Sequence, residues 1–216
     1  MFLKINKPSW YTSYDIVEKF KRLFPDEKIG HSWTLDPMAS GLLIIAIWRQ
    51  STKHINKFLW ADKEYKTTVD FSIYSDTWDL DYFDTFKKYE IVEQNWKKWI
   101  IKDWKFIPAP TQEQIQQALK KLIPQAELPL TMFSAKKVNW KKLYELARQW
   151  INLNLKQKMK INSFEILNYN FPKLTLKLNV WSWTYIRSIG YRLWQQFDLP
   201  GTLTMLKRTK IWEISL

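Results

Sequence analysis

The chain has 216 residues, enough for one domain with a sizeable core. Lys and Arg number 34 against 21 Asp and Glu, and the resulting formal charge of +13 calls for an anionic partner, most simply nucleic acid. There is no cysteine, which excludes disulfides and thiolate metal sites, and the two histidines make a metal centre improbable. The first seven residues lack the apolar core of a signal peptide, and the longest apolar run, residues 42–48, is too short to span a bilayer. The expectation is a soluble cytoplasmic protein, and a monomer.

Residues 2–5 read as a short strand leading into Lys7-Pro8. Ser13 is the expected helix cap, with Asp15 in the first turn. Ile16, Val17, Phe20, Leu23 and Phe24 follow at helical spacing until Pro25. A loop holding Asp36 comes next, then a buried strand over residues 42–47. Residues 51–59, with His54, read as one short helix, and 64–73 as a strand with Tyr65 near its start. Residues 75–84 form an acidic turn region. Residues 87–110 are lysine-rich and end in Pro108-Ala109-Pro110, which reads as a loop or linker.

Thr111 caps an expected helix over 111–122, with Ile115, Ala118, Leu119 and Leu122 on one face. Residues 133–138 and the Asn139-Trp140 turn suggest a hairpin, followed by a short helix over 142–149. Two strands lie within 157–181, a helix over 184–197, and a closing strand or two over 203–214. Together these predict an α+β fold around a mixed, mainly antiparallel sheet flanked by helices. The organisation expected is a single domain over 1–216, with an insert around 87–165.

Glycine is scarce and tryptophan abundant: 4 Gly against 14 Trp. Average usage would supply about fifteen glycines. Many tryptophans stand where turn chemistry favours glycine, as in Ser9-Trp10-Tyr11, Thr77-Trp78-Asp79, Asp103-Trp104-Lys105 and Asn139-Trp140-Lys141. The expectation is that Trp10, Trp33, Trp48, Trp60, Trp78, Trp96, Trp104, Trp140, Trp150, Trp181, Trp183, Trp194 and Trp212 mark UGA codons of an organism that reads UGA as glycine. Trp99 reads as an ordinary tryptophan. The competing reading is a Trp-rich surface on which RNA bases stack, which would gather the indoles on one face.

The stretch from Gly30 to Gly41, Gly-His-Ser-Trp-Thr-Leu-Asp-Pro-Met-Ala-Ser-Gly, places a lone carboxylate, Asp36, on a tight loop beside a buried strand. A nucleophile or general base suits such a place, and an ordinary turn-capping Asp is the plain alternative. The stretch resembles the catalytic loop of the bacterial tRNA pseudouridine-55 synthases of the TruB type, whose Asp is essential. Four further segments match that family in order: Lys7-Pro8-Ser9-Trp10-Tyr11-Thr12-Ser13, Asp62-Lys63-Glu64-Tyr65, Ser134 through Arg148, and Trp183-Thr184-Tyr185-Ile186-Arg187-Ser188, followed by Leu206-Lys207-Arg208. The chain departs from the family at Trp33 and Trp183, where glycine stands, and it ends soon after Leu206, without the C-terminal RNA-binding module of many members.

The resemblance implies a pseudouridine synthase-like catalytic domain that isomerises uridine 55 in the T-loop of tRNA. No cofactor is implied, because the reaction breaks a C1′–N1 bond and makes a C1′–C5 bond with no redox change. Asp36 would be the nucleophile and Arg187 its ion-pair partner. Tyr65 would stack on the uracil near C5, Tyr185 would line the pocket and Leu206 would form its apolar wall. His31 would fill the stack vacated by the flipped base. Lys7, Lys136, Lys141 and Arg208 would contact the RNA backbone. A non-catalytic RNA-binding or tRNA-folding protein on the same scaffold is the second reading.

Overall fold

The computed structural model of the chain describes residues 1–81, 86–151 and 153–216, so the acidic turn region of 75–84 lies partly outside it. Strand β1 (Phe2–Lys7) leads to α1 (Ser13–Leu23), whose cap is Thr12 and not Ser13. The Thr12 hydroxyl accepts the Asp15 N–H and the Asp15 carboxylate accepts the Thr12 N–H, a complete capping box. Ser13 is thereby freed to turn inward, where it is buried. Strands β2 (Ile29–His31) and β3 (Ser40–Ile47) flank the Asp36 loop and pair with each other. Gly30 and His31 thus belong to a strand, a correction to the loop expected there. The one helix expected over 51–59 is two, α2 (Arg49–Lys53) and α3 (Asn56–Leu59).

Strand β4 (Lys63–Asp70) carries Tyr65. Strands β5 (Ile73–Tyr74) and β6 (Lys87–Lys88) pair, and β7 (Glu90–Gln94), β8 (Lys97–Lys102) and β9 (Lys105–Pro108) form a small antiparallel sheet. This sheet replaces the loop or linker that the composition suggests. Its strands are joined by the two-residue turns Asn95-Trp96 and Asp103-Trp104, with φ of 52° and 62° and of 49° and 64°. Two positive φ values in a two-residue loop are type I′ hairpin chemistry. The apolar signal is faint because, of this sheet's residues, only Ile100 is buried.

Helix α4 (Gln112–Lys120) is capped by Thr111, as the sequence predicts, and Gln114 completes the capping box. Strand β10 (Gln125–Pro129) follows, then β11 (Lys137–Val138) and β12 (Lys141–Lys142), a hairpin on Asn139-Trp140, and α5 (Leu143–Ala147). The chain continues through β13 (Lys156–Asn170), β14 (Lys173–Val180), α6 (Ile186–Phe197), β15 (Thr202–Ile211) and β16 (Ile214–Ser215).

The main sheet has nine strands along the path β1-β3-β15-β4-β14-β13-β10, with β2 beside β3 and β16 beside β15. Only β15 with β3 is parallel, so the sheet is mixed and mainly antiparallel. Strand β3 is buried on both faces. Leu43, Ile45 and Ile47 pack with Ile16 and Val17 of α1, while Leu42 and Ile44 pack with Phe58 and Ile211. Each such side chain stabilises the fold by about 1.5–3 kcal/mol. Gly41 permits the parallel pairing: its φ is +103°, and a Cβ there would lie 2.2 Å from the Arg208 carbonyl oxygen. That contact brings β15 beside the Asp36 loop.

Nine of the thirteen singled-out tryptophans have positive φ: Trp10, Trp48, Trp78, Trp96, Trp104, Trp140, Trp150, Trp183 and Trp212. Trp96, Trp104, Trp140 and Trp150 are more than 90% exposed and stand on separate turns. A stacking face would gather them; turn geometry scatters them. Trp99 has ordinary φ and sits on β8, as expected of a genuine strand aromatic.

Candidate active site

The Asp36 loop is held by its backbone. The Leu35 N–H donates to the Ser13 hydroxyl at 2.9 Å, and the Met38 N–H donates to Asp81 Oδ1 at 2.6 Å. The Pro37 carbonyl accepts the Trp10 N–H at 2.7 Å and the Lys7 ammonium at 3.2 Å. Four anchors from β1, the turn after it, α1 and the 75–81 segment therefore fix one carboxylate, and Pro37 removes a donor that would otherwise compete. Asp36 is two-thirds buried, and its carboxylate accepts from Arg187 Nη2 at 3.1 Å.

Arg187 lies in the first turn of α6, where a cation opposes the helix dipole. Its neighbours offset that: Nη1 lies 3.1 Å from Asp79 and donates to the Thr77 carbonyl, and Nη2 also donates to the Phe133 carbonyl. The Arg187 and Asp79 side chains are 4% and 1% exposed. Removing one member of such a buried group leaves stranded charge, which costs about 3–5 kcal/mol. Arg187→Met is therefore expected to lose about that much in a urea melt, and a loss under about 1 kcal/mol would show the ion pairs to be unimportant to the fold.

Asp36, Tyr65, Tyr185, Arg187, Leu206, His31 and Lys136 all line one cavity of about 690 Å³, within the range of small-ligand sites. The fold thus brings together seven residues that the sequence scatters from position 31 to position 206. Tyr65 reaches the cavity from β4 and Leu206 from β15, strands that pair directly. Burial pushes the Asp36 carboxyl up, opposed by Arg187 and reinforced by Asp79. Burial pushes Tyr185 up as well, and pushes His31 down. His31 Nδ1 also meets the Ser32 carbonyl. Among the described residues no group of His, Cys, Asp or Glu is placed to hold a metal ion.

Two expected phosphate contacts are corrected. Lys7 and Arg208 are fully buried. Lys7 donates to the carbonyls of Pro8, Tyr11 and Pro37, and Arg208 to those of Leu42 and Trp33. Lys7 spends its ammonium on loop carbonyls, Arg208 spends two of its donors on main-chain carbonyls, and neither side chain reaches the surface. Lys136 instead meets Gln157, and Lys141 is exposed on β12.

Two acidic residues escape the sequence reading. Asp79 shares Arg187 with Asp36, and Asp81 holds the Met38 amide. The available signal is an acidic cluster in a strongly basic chain. Burial and the adjacent Asp79 and Asp36 push the Asp81 carboxyl up to about 7. A carboxyl raised on folding destabilises the native state increasingly as pH rises from about 4 to about 7. Asp81→Asn removes that penalty, so its melting temperature relative to the parent is expected to be higher at pH 8 than at pH 5. Parallel melting curves across that range would refute the assignment. Trp33 and Trp183 also line the cavity, edge to face with ring centroids 4.4 Å apart.

Residues 21–186 match the family described as TruB family pseudouridylate synthase (N terminal domain). The chain belongs to this family. It is 36% identical to the tRNA pseudouridine synthase B of Caldicellulosiruptor saccharolyticus, over 96% of this chain and 66% of that protein. It is 35% identical to the protein of the same name from Protochlamydia amoebophila, over 96% of this chain and 72% of the relative. The TruB-family chain thus spans about two-thirds of the length of these relatives. Among solved structures, one of an H/ACA ribonucleoprotein bound to a substrate RNA containing 2′-deoxyuridine superposes with a TM-score of 0.63 at 20% identity. That match covers 97% of this chain and 47% of the other, and shows a shared fold.

Proposed function

We propose that the chain isomerises a uridine of tRNA to pseudouridine, at position 55 in the T-loop. The observation that carries this reading is the Asp36–Arg187 ion pair at the floor of a cavity walled by Tyr65, Tyr185 and Leu206. A carboxylate paired with a buried guanidinium, facing a slot with two aromatic rings, suits a nucleophile acting on a nucleotide. The atoms balance within the substrate: the C1′–N1 bond breaks, C1′–C5 forms, C5 loses one proton and N1 gains one. A uridine folded into the T-loop is out of reach of such a cavity, so the base would be flipped out, and His31, which lines the same cavity, would fill the gap.

The RNA backbone would run over the exposed lysines. Lys156, Lys158 and Lys160 alternate along one face of β13, and Lys141 and Lys136 lie on or beside the neighbouring hairpin. Such contacts position without reading sequence and weaken with salt. The domain reading is a single catalytic unit over 1–216, acting as a monomer without an obligate protein partner or cofactor, in the cytoplasm. No helix among the described residues is long and apolar enough to cross a membrane.

The test is an unmodified tRNA transcript incubated with the chain, with pseudouridine mapped base by base. Product confined to the T-loop uridine is expected. Tight, salt-sensitive binding without product would favour the RNA-binding reading instead.

A further inference from the structure

Arg208 is a buried cation that the proposed chemistry leaves unused. Its side chain is fully buried, and among the described residues no carboxylate lies within salt-bridge distance of it. Nε donates to the Leu42 carbonyl at 2.7 Å and Nη2 to the Trp33 carbonyl at 2.9 Å. Trp33 lies in the loop that displays Asp36, and Leu42 in β3, the strand that follows it. The third nitrogen, Nη1, is buried and has no hydrogen-bond partner among the described residues. On the paired strands β4 and β15, Arg208 sits directly opposite Tyr65. The phenol of Tyr65 is the group that most supports its charge, followed by Asp36, against the cost of burial.

A buried, unpaired guanidinium is costly and needs a compensating role. We propose that Arg208 is a positioning residue of the isomerisation, closing the Asp36 loop with two donors and holding the Tyr65 phenol oriented toward C5 of the base. The inference rests on the isomerase reading above. The final step takes a proton from C5, and negative charge gathers on any oxygen that assists its departure. A fixed cation beside the Tyr65 oxygen favours that charge and limits the rotation of the hydroxyl. Lysine can replace the charge and one donor, but it lacks the fork that reaches two carbonyls and the phenol together.

The experiment uses Arg208→Lys, Tyr65→Phe and the double variant, in single-turnover reactions on a T-stem-loop RNA carrying either uridine or 5-deuterouridine. Arg208→Lys is expected to slow product formation by about 10–100-fold, and to do so by less than about twofold when Tyr65 is already Phe. It is also expected to expose a deuterium effect at C5 that the parent does not show. In a chain labelled with 13C at tyrosine Cζ, the Tyr65 resonance, assigned by its loss in Tyr65→Phe, is expected to move in Arg208→Lys. Equal slowing in both backgrounds without a deuterium effect, an unmoved Cζ resonance, or loss of the fold in Arg208→Lys would each overturn the assignment and leave a structural clamp. Absence of product from the parent chain would overturn the isomerase reading, while the Cζ resonance still reports the Arg208–Tyr65 contact.

Discussion

An Asp36→Asn chain is expected to bind tRNA within about twofold of the parent and to lose at least about 10,000-fold in single-turnover rate. The substitution is close to isosteric. The carboxamide keeps an oxygen for Arg187 Nη2, and Asp79 still balances the guanidinium at 3.1 Å. The backbone anchors through Leu35, Pro37 and Met38 do not involve the side chain. Fold and RNA surface should therefore survive, while the proposed nucleophile is gone. Parallel filter binding and pseudouridine mapping read the two properties separately. Turnover within about tenfold of the parent would exclude Asp36 as nucleophile, and the cavity would then need another group at its floor.

The same geometry sets a pH dependence. Burial, with Asp79 nearby, raises the proton affinity of Asp36 above that of an ordinary aspartate. On the proposed reading ionised Asp36 is the active form, so activity should fall on acidification earlier than a free aspartate would dictate.

The site is legible in the sequence wherever its chemistry is local. Asp36 with Pro37, Tyr65 on an alternating strand and Arg187 at a helix start each sit in a short stretch of distinctive spacing, and the fold brings them together. What escapes notice depends on partners far away in the chain. Lys7 and Arg208 look like surface cations because such residues are rarely buried unless paired. Here their partners are the carbonyls of Pro37 and Trp33 in the Asp36 loop and of Leu42 in β3, which only the folded chain brings beside them. Asp79 and Asp81 look like turn residues because their importance comes from Arg187, more than a hundred positions later, and from the Met38 amide. The sheet of 90–108 is hidden for a different reason. Only Ile100 of its strand residues is buried, so no clear alternation marks them, although the Asn-Trp and Asp-Trp turns lie where hairpin chemistry places Asn-Gly and Asp-Gly.

Those turns carry the other large expectation. Replacing Trp96, Trp104 and Trp140 by glycine should raise the melting temperature, singly and together. Each stands at φ between 62° and 68°, where a side chain costs about 1–2 kcal/mol and glycine nothing. Each is more than 90% exposed, so little packing is lost with the indole. In a chain of this size 1 kcal/mol moves the midpoint by about 2–4 °C. Distant sites add, so relieving all nine positive-φ tryptophans is worth an amount comparable to the total stability of an ordinary domain, about 5–15 kcal/mol. Trp99→Gly is the control: its backbone is ordinary and it pairs with Pro108, so the same change should lower the midpoint. Equal midpoints for the triple variant and the parent would remove the argument from backbone strain. Trp183→Gly carries a second consequence, since its indole packs edge to face on Trp33 over the cavity. Removing it should speed product formation as well as stabilise the chain. If UGA is read as glycine in the source cell, peptides of the protein isolated from it will carry glycine at these turns and tryptophan at 99; indole masses at the turns would end that reading and leave the strain as a property of the native chain.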